Sequence, residues 1–316
     1  MGPGCGARRA SARGRILHRH IVVDEPPFLP IFSGVRVIRD YLSLIRAVNC
    51  AVASAGVWVG AYLASPGLPV APVLLTSVAV FLVCAAGNML NDVVDLAIDR
   101  INRPRRTLVR GAVSVPRAKL LVVAFNTLAI VVSLLVSWQV LIVVTLSAIA
   151  LFVYNIRLKG VPLVGNFVVA ILGGLTFVVG GMAVDPRLLS VLPGPAVPAI
   201  FAVLFHLVRE IIKDVEDVEG DRRADVKTIP QFVGPVAALT IAIGLFVVLV
   251  LLTLVPIYYD WFSRAYEILT VYVIDLPLLA LLIVVWGNPT KRLLRVGSMA
   301  LKTGMIVGLF AMVLGR

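Results

Sequence analysis

Long apolar runs separated by short polar segments fill the chain from about residue 44 to its C-terminal end. Nine of these runs come close to the roughly 20 residues that an α-helix needs to cross the hydrocarbon core of a bilayer. They cover residues 44–64, 70–90, 118–137, 140–155, 163–184, 197–212, 236–257, 268–286 and 297–314. Prolines such as Pro66, Pro116 and Pro162 fall between runs, where they would end a helix. The pattern predicts an all-α polytopic membrane protein, a bundle of nine transmembrane helices around a central cavity.

The composition excludes a soluble globular protein. Of the 316 residues, 60% are hydrophobic and 15% are charged, which is too little polar material to cover a surface exposed to water. The formal net charge is +12. In so apolar a chain this excess indicates loops that face anionic membrane lipids, and it does not favour a nucleic-acid partner. We predict a basic N-terminal tail over residues 1–40 and a transmembrane domain over residues 41–316.

The lysines and arginines are distributed unevenly among the polar segments. Counted against the nine predicted spans, 26 of the 29 fall on one side of the bundle, and only Arg187, Arg264 and Arg316 fall on the other. Cationic loops are retained in the cytoplasm. We therefore expect a cytoplasmic N-terminus, and we expect a site at the ends of the second and sixth predicted helices to open on the cytoplasmic side of the cell membrane.

Two of the polar segments each carry three aspartates, spaced three and then four residues apart. The first aspartate row is Asp92, Asp95 and Asp99, and the second aspartate row is Asp214, Asp217 and Asp221. Because such positions share one face of a helix, the carboxylates of a row repel one another unless a cation lies among them. Hard oxygen ligands favour Mg²⁺, which takes the rest of its shell from substrate phosphates. The sequence therefore predicts a magnesium site at these two rows.

The predicted ligand set has one neutral member and two members with an alternative role. Asn88 lies one turn before Asp92 and adds an amide oxygen to the first row. A metal ion rarely takes every carboxylate near it. Asp95 and Asp214 therefore have the alternative of lying beside the direct ligands or on the phosphate side of the site.

Basic residues accompany both aspartate rows. We predict substrate contacts for Arg103 after the first row, for Lys213 directly before the second, and for Arg222 and Lys227 after it. Guanidinium groups bind phosphate oxygens with bidentate geometry. Carboxylates that hold metal ions, together with cations that hold the remaining oxygens, suit a pyrophosphate group. Lys213 has the alternative of neutralising the acids around it.

The two acidic segments resemble the motifs of the UbiA superfamily of intramembrane prenyltransferases, NDxxDxxxD after the second helix and DxxxD after the sixth. Here they are NDVVDLAID at residues 91–99 and DVEGD at residues 217–221. The resemblance covers residues 41–316. Within the superfamily, YNIRLKGVPLVGN (154–166) and REIIKDVEDVEGDRRADVKTIP (209–230) are most similar to the archaeal enzymes that attach the second prenyl chain of ether lipids.

The resemblance implies transfer of a geranylgeranyl group from its diphosphate to the free hydroxyl of geranylgeranylglyceryl phosphate. It implies two or more Mg²⁺ ions that bridge the diphosphate, with Asp92 and Asp217 as essential carboxylates. Tyr154, at the end of the fourth span, would face the allylic cation, a contact worth about 1 kcal/mol or more. Its alternative is a place in the aromatic belt at the membrane surface.

The phosphate of the acceptor lipid requires cations of its own. The candidates are Arg46, with Asn49 one turn away in the first span, and Lys159 and Arg103 in the loops. An arginine near the start of a span has the alternative of reaching to the membrane surface without binding substrate.

Two other functions stay open at this point. Prenyl transfer to an aromatic acceptor would need a ring-sized slot in place of a phosphate site. A secondary transporter would use intramembrane acids to bind coupling ions near the midplane of the membrane, but the aspartates are expected at one face.

Overall fold

The computed structural model of the chain describes residues 1–2, 30–223 and 227–316, and it is helical without strands over those residues. The helices are α1 (Pro30–Leu44), α2 (Ala47–Ala64), α3 (Val70–Val94), α4 (Leu96–Asn102), α5 (Val115–Leu134), α6 (Trp138–Val153), α7 (Val164–Val184), α8 (Ala196–Arg223), α9 (Ile229–Val233), α10 (Pro235–Tyr258), α11 (Arg264–Glu267), α12 (Leu276–Gly287) and α13 (Lys291–Leu314). Two π-helical segments, Tyr154–Leu158 and Ile268–Asp275, continue α6 and precede α12. Most of the predicted basic tail lies outside the described residues, and its last part belongs to α1.

Eight helical stretches of the described chain are long and apolar enough to cross a membrane. They are Ala47–Ala64, Val70–Val94, Val115–Leu134, Trp138–Leu158, Val164–Val184, Pro235–Tyr258, Arg264–Gly287 and Lys291–Leu314. Each coincides with one of the nine predicted runs, so a multi-pass membrane protein is confirmed. The remaining run, 197–212, lies in α8, where Arg209 and Glu210 interrupt the apolar sequence. The number nine stays a prediction.

The long helices pack as neighbours in chain order and close into a bundle. Contacts run through α2, α3, α5, α6, α7, α8, α10, α12 and α13, and α13 returns to pack against α2. Short connections leave consecutive helices adjacent, which explains this order. Because α2 and α13 meet, the first and last long helices lie side by side.

Small residues bring α2 and α7 into close contact. A Cβ atom built on Gly60 would overlap with the backbone of Phe177, and one built on Gly180 would overlap with the backbone of Val57. Glycines at such positions let two membrane helices approach until their backbones touch. This contact fixes one wall of the bundle.

The carboxylate of Asp275 is buried within the bundle, with 1% of the residue exposed. The Thr253 hydroxyl of α10 donates a hydrogen bond of 2.7 Å to its Oδ2 atom, and the Tyr266 hydroxyl donates to the Thr253 carbonyl oxygen at 3.1 Å. A polar side chain within a membrane span needs such a partner. The bonds join α10 to the segment that precedes α12.

Candidate active site

A cavity of about 600 Å³ lies between the helices, and most of its wall is apolar. Val143, Leu172, Phe205 and Leu309 are among the residues that form the apolar part. The charged residues of its lining are six cations and one carboxylate: Arg46, Arg103, Arg106, Arg209, Lys213, Lys302 and Glu210. The chamber therefore suits a molecule with a long apolar tail and a strongly anionic head.

Two carboxylates of the first aspartate row contact the Arg106 guanidinium. Asp92 and Asp99 are each 5% exposed, and Nη1 of Arg106 donates to Asp92 Oδ1 at 2.7 Å and to Asp99 Oδ2 at 2.5 Å. Burial raises the pKa of the Asp99 carboxyl, and the Arg106 charge opposes that rise. One guanidinium thus offsets part of the cost of burying two acids.

The spacing of the first row predicted one continuous helix, but the structure divides the row between two helices. Helix α3 ends at Val94 and α4 begins at Leu96, so Asp95 lies at the junction. Its Oδ2 atom accepts hydrogen bonds from Asn91 Nδ2 at 2.7 Å and from Lys159 Nζ. Burial lowers the pKa of the Lys159 ammonium, and the Asp95 carboxylate opposes that fall. The junction ties the end of α3 to the loop after α6.

Arg46 reaches the first row from a strained position in the backbone. It lies between α1 and α2 with φ 53° and ψ 56°, in the left-handed region, where a residue with a side chain costs of order 1–3 kcal/mol. Its Nη2 atom donates to Asp92 Oδ1 at 2.7 Å. The Asn88 amide donates to the Ile45 carbonyl oxygen at 3.0 Å, which fixes the orientation of that amide.

The second aspartate row lies on α8 and is joined to the first row by an ion pair. Nη2 of Arg103, in the loop after α4, lies 3.3 Å from Asp217 Oδ2. Asp214 accepts a hydrogen bond of 2.8 Å from the Asn166 amide of α7, and Asp221 is partly buried. The two acidic segments, far apart in sequence, therefore meet at the same end of the bundle.

Tyr154 lines the cavity. It begins the π-helical turn at the end of α6, and the carboxylates of Asp95 and Asp214 both act on its hydroxyl electrostatically. A Cβ atom on Gly165 would stand 3.3 Å from the edge of the Tyr154 ring. The glycine thus leaves the ring room to lie at the boundary between the charged mouth and the apolar chamber.

The remaining predicted substrate residues divide into two groups. Asn49 and Lys213 line the cavity, and Lys213 Nζ lies 3.8 Å from Glu210 Oε2. Arg222 and Lys227 are exposed, and they are not among the described residues that line the cavity. The structure therefore brings the first pair to the candidate site and leaves the second pair at its periphery.

Several residues of the site received no individual role from the sequence. Among them are Arg106, which bridges two aspartates, Asn166, which contacts Asp214, and Lys302, whose Nζ donates to Asn49 Oδ1 at 2.7 Å. Lys302 left a signal in the sequence, since a lysine within an apolar run is costly in lipid and marks a functional position. Arg106 and Asn166 left none that separates them from their polar neighbours.

The donors of the two rows fit Mg²⁺. Within the part of the chain that the structure describes, no three His, Cys, Asp or Glu side chains converge as a ready-made metal site. Magnesium is usually held by one or two carboxylates together with substrate phosphates and water, and it needs no all-protein cage. Six aspartate carboxylates beside a cation-rich cavity supply that type of donor.

The fold and site define a class of protein, a multi-pass membrane enzyme with an apolar chamber. Arginines that line the chamber pair with carboxylates of both aspartate rows. Residues 53–302 match the UbiA prenyltransferase family. This chain belongs to that family, and it is a prenyltransferase, as the motifs predicted.

Relatives named digeranylgeranylglyceryl phosphate synthase are similar over most of the chain. The protein from Methanopyrus kandleri is 37% identical over 276 residues, which cover 87% of this chain and 98% of the relative. The protein from Haloquadratum walsbyi is 38% identical over 285 residues, 88% of this chain and 95% of the relative. The likeness therefore extends over nearly the whole of each relative.

Solved structures share the fold. A structure of digeranylgeranylglyceryl phosphate synthase superimposes with a TM-score of 0.69 at 32% identity, and the match covers 89% of this chain and 98% of that one. A UbiA homolog from Archaeoglobus fulgidus, bound to GPP and Mg²⁺, superimposes with a TM-score of 0.61 at 20% identity over 87% and 99% of the two chains. The second likeness shows the fold alone.

Proposed function

We propose that this chain transfers a geranylgeranyl group from geranylgeranyl diphosphate to the free hydroxyl of geranylgeranylglyceryl phosphate, which forms the second ether bond of an archaeal membrane lipid. The observation that carries the proposal is the ion pair between Arg103, which follows the first aspartate row and lines the apolar cavity, and Asp217 of the second row. The relatives that match nearly full length carry the name of this enzyme.

The aspartate rows and their cations receive the diphosphate head. Asp92, Asp99, Asp217 and Asp221, with the Asn88 amide, are the proposed ligands of two or more Mg²⁺ ions, and Asp95 and Asp214 complete the rows. Bound Mg²⁺ supplies positive charge that stabilises the leaving pyrophosphate. The side chains that now pair with the carboxylates, among them Arg46, Arg103, Arg106 and Lys159, are close enough to take phosphate oxygens. The more exposed Arg222 and Lys227 attract the head group as it arrives.

The reaction exchanges one carbon–oxygen bond for another. The bond between C1 of the allylic chain and the diphosphate oxygen breaks, and the pyrophosphate leaves with the bonding electrons. The acceptor oxygen forms an ether bond to C1, and its proton is released. Tyr154, at the boundary of the chamber, presents its ring to the allylic cation. The apolar wall excludes water that would otherwise capture the cation.

We further propose that α8 also crosses the membrane, with residues 197–212 in the bilayer, which brings the number of transmembrane helices to nine. The basic segments then lie in the cytoplasm together with the N-terminus, and the aspartate rows open on the cytoplasmic side. Arg209 and Glu210 within α8 pair with each other, with Nη1 2.6 Å from Oε1. The pairing lowers the cost of placing both charges within a span.

The test is a transfer assay with the purified full chain. It is supplied with geranylgeranyl diphosphate and either geranylgeranylglyceryl phosphate or an aromatic acceptor such as 4-hydroxybenzoate, with Mg²⁺ or with EDTA. We expect product with geranylgeranylglyceryl phosphate and none with the aromatic acceptor. Product formation should be lost in EDTA and recovered when excess Mg²⁺ is restored. Product with the aromatic acceptor only, or equal turnover in EDTA, would contradict the proposal. A parallel liposome assay for solute uptake tests transport, and uptake without transfer would also reject it.

A further inference from the structure

The seam between α8 and α13 pairs charged residues in antiparallel register. Lys291 Nζ lies 2.5 Å from Glu219 Oε2, and Arg295 Nε lies 3.1 Å from Glu216 Oε1. A step of four residues toward the C-terminus of α13, from Lys291 to Arg295, thus corresponds to a step of three residues toward the N-terminus of α8, from Glu219 to Glu216. Seven further residues along each helix, two turns deeper into the bundle, bring Lys302 to the level of Arg209.

The third pair along this seam differs from the first two because both members are cations. Lys302 and Arg209 both line the cavity. Like charges held near each other repel. Two positive groups so placed indicate a ligand that carries negative charge.

Both cations keep hydrogen-bond donors available. Lys302 has three N–H donors and gives one to Asn49 Oδ1 at 2.7 Å, and over residues 30–223 and 227–316 no carboxylate lies within ion-pair distance of it. Arg209 donates from Nη1 to Glu210 at 2.6 Å, while its Nε–H is buried and has no partner among the described residues. Glu210 also lies near Lys213, so one carboxylate is shared by Arg209 and Lys213.

We propose that Lys302 and Arg209 bind the phosphate monoester of the acceptor lipid, with Asn49 holding the Lys302 ammonium in position. The inference rests on the proposed function and assigns its second anionic group to a separate place. A phosphate monoester carries a charge of about −1.5 to −2 near neutral pH, which matches two cations. Arg46, which the sequence offered for this role, already contacts Asp92, so the aspartate rows keep it for the diphosphate.

A groove on the side of the bundle is lined by Lys302 and Asn49. It lies between α1, α2 and α13, and Arg39 and Ser43 are part of its wall. Arg46, Asn49 and Lys302 line both the groove and the main cavity. A lipid that enters from this side meets Lys302 without passing the second aspartate row. The phosphate of the acceptor and the diphosphate of the donor would therefore bind at separate places.

The test compares Lys302→Met with the wild-type chain in a neutral detergent. Two acceptors are used, geranylgeranylglyceryl phosphate and its dephosphorylated form, geranylgeranylglycerol. A lost hydrogen bond to a charged group amounts to about tenfold or more in affinity. We expect the preference for the phosphorylated acceptor to fall about tenfold in kcat/KM, with the KM for geranylgeranyl diphosphate within about twofold of wild type. Lys302→Arg retains the preference because it retains the charge.

Lys291→Met is the matched control, since it removes a lysine from the same seam at an exposed ion pair. It is expected to leave the preference unchanged. An equal preference in Lys302→Met and wild type overturns the inference, as does an equal loss in the Lys291→Met variant.

A binding measurement separates failure of this inference from failure of the proposed function. If the wild-type chain transfers to neither acceptor, the proposed function is wrong, and thermal stabilisation by geranylgeranylglyceryl phosphate alone then decides the site. Stabilisation of wild type that is lost in Lys302→Met supports the site, and equal shifts in both proteins reject it. A shift of the same size with dioleoylphosphatidic acid, also dependent on Lys302, overturns the assignment to the acceptor in favour of membrane lipid.

Discussion

Replacement of Asp92 by asparagine tests two roles of this residue, its ion pairs in the folded protein and its proposed part in prenyl transfer. The substitution keeps the size of the side chain but removes its negative charge. In the structure the Asp92 Oδ1 atom accepts two hydrogen bonds of 2.7 Å, one from Arg46 and one from Arg106. The Asp92→Asn variant therefore leaves one guanidinium with a weaker partner and leaves the other dependent on Asp99.

The expected loss of stability follows from these contacts. Breaking a buried ion pair from one side costs about 3–5 kcal/mol. Here Arg106 keeps Asp99 at 2.5 Å, and the Arg46 side chain is 32% exposed and can be hydrated. We therefore expect a smaller loss in the free energy of unfolding, about 1–3 kcal/mol, in keeping with the roughly 1.5–3 kcal/mol of a charged hydrogen bond.

Asp217→Asn is the matched comparison, because it removes a carboxylate of the other aspartate row. The Asp217 side chain is 38% exposed and its ion pair with Arg103 spans 3.3 Å, so the expected loss of stability is within about 1 kcal/mol. Prenyl transfer should be abolished in both variants, since both remove a proposed Mg²⁺ ligand.

The measurement combines unfolding in mixed micelles with the transfer assay, on the same preparations. Equal losses of stability in the two variants would refute the argument from burial and ion pairing. Turnover close to wild type in either variant would refute the role of the aspartate rows in holding the diphosphate.

The other predictions concern Tyr154 and the contact between α2 and α7. Tyr154→Phe should keep most of the turnover, because the ring is retained, and Tyr154→Leu should lose about fivefold or more in kcat with a folded protein; equal rates in the two variants would exclude a role for the ring. Gly60→Val should lower the thermal midpoint or prevent folding, because its Cβ overlaps with the Phe177 backbone. Gly244 lies in open space on α10, so Gly244→Ala should raise the free energy of unfolding by about 0.5–1 kcal/mol and the thermal midpoint slightly. A loss as large as that of Gly60→Val would contradict the packing argument.

The sequence by itself determined the class of the protein and the positions of its acidic motifs. Apolar runs of about 20 residues can satisfy their backbone only as helices within a bilayer, so eight spans could be predicted without knowledge of their packing. The equal spacing of the two aspartate rows was sufficient to predict a magnesium site, and the resemblance of the two motifs to those of the UbiA superfamily indicated the family. Both features are local, because each depends on residues within a few turns of one another.

Only the tertiary structure decided which cation meets which acid. Arg103 finds Asp217 across 114 positions of sequence, and Lys302 finds Asn49 across 253; such pairs depend on which helices pack together, and no local pattern encodes that. At the break, Asp95 likewise meets Lys159 from the loop after α6, 64 positions away in sequence. Helix propensity and hydrophobicity act along the chain, whereas the charge at the mouth of the cavity is a sum over helices brought together by folding.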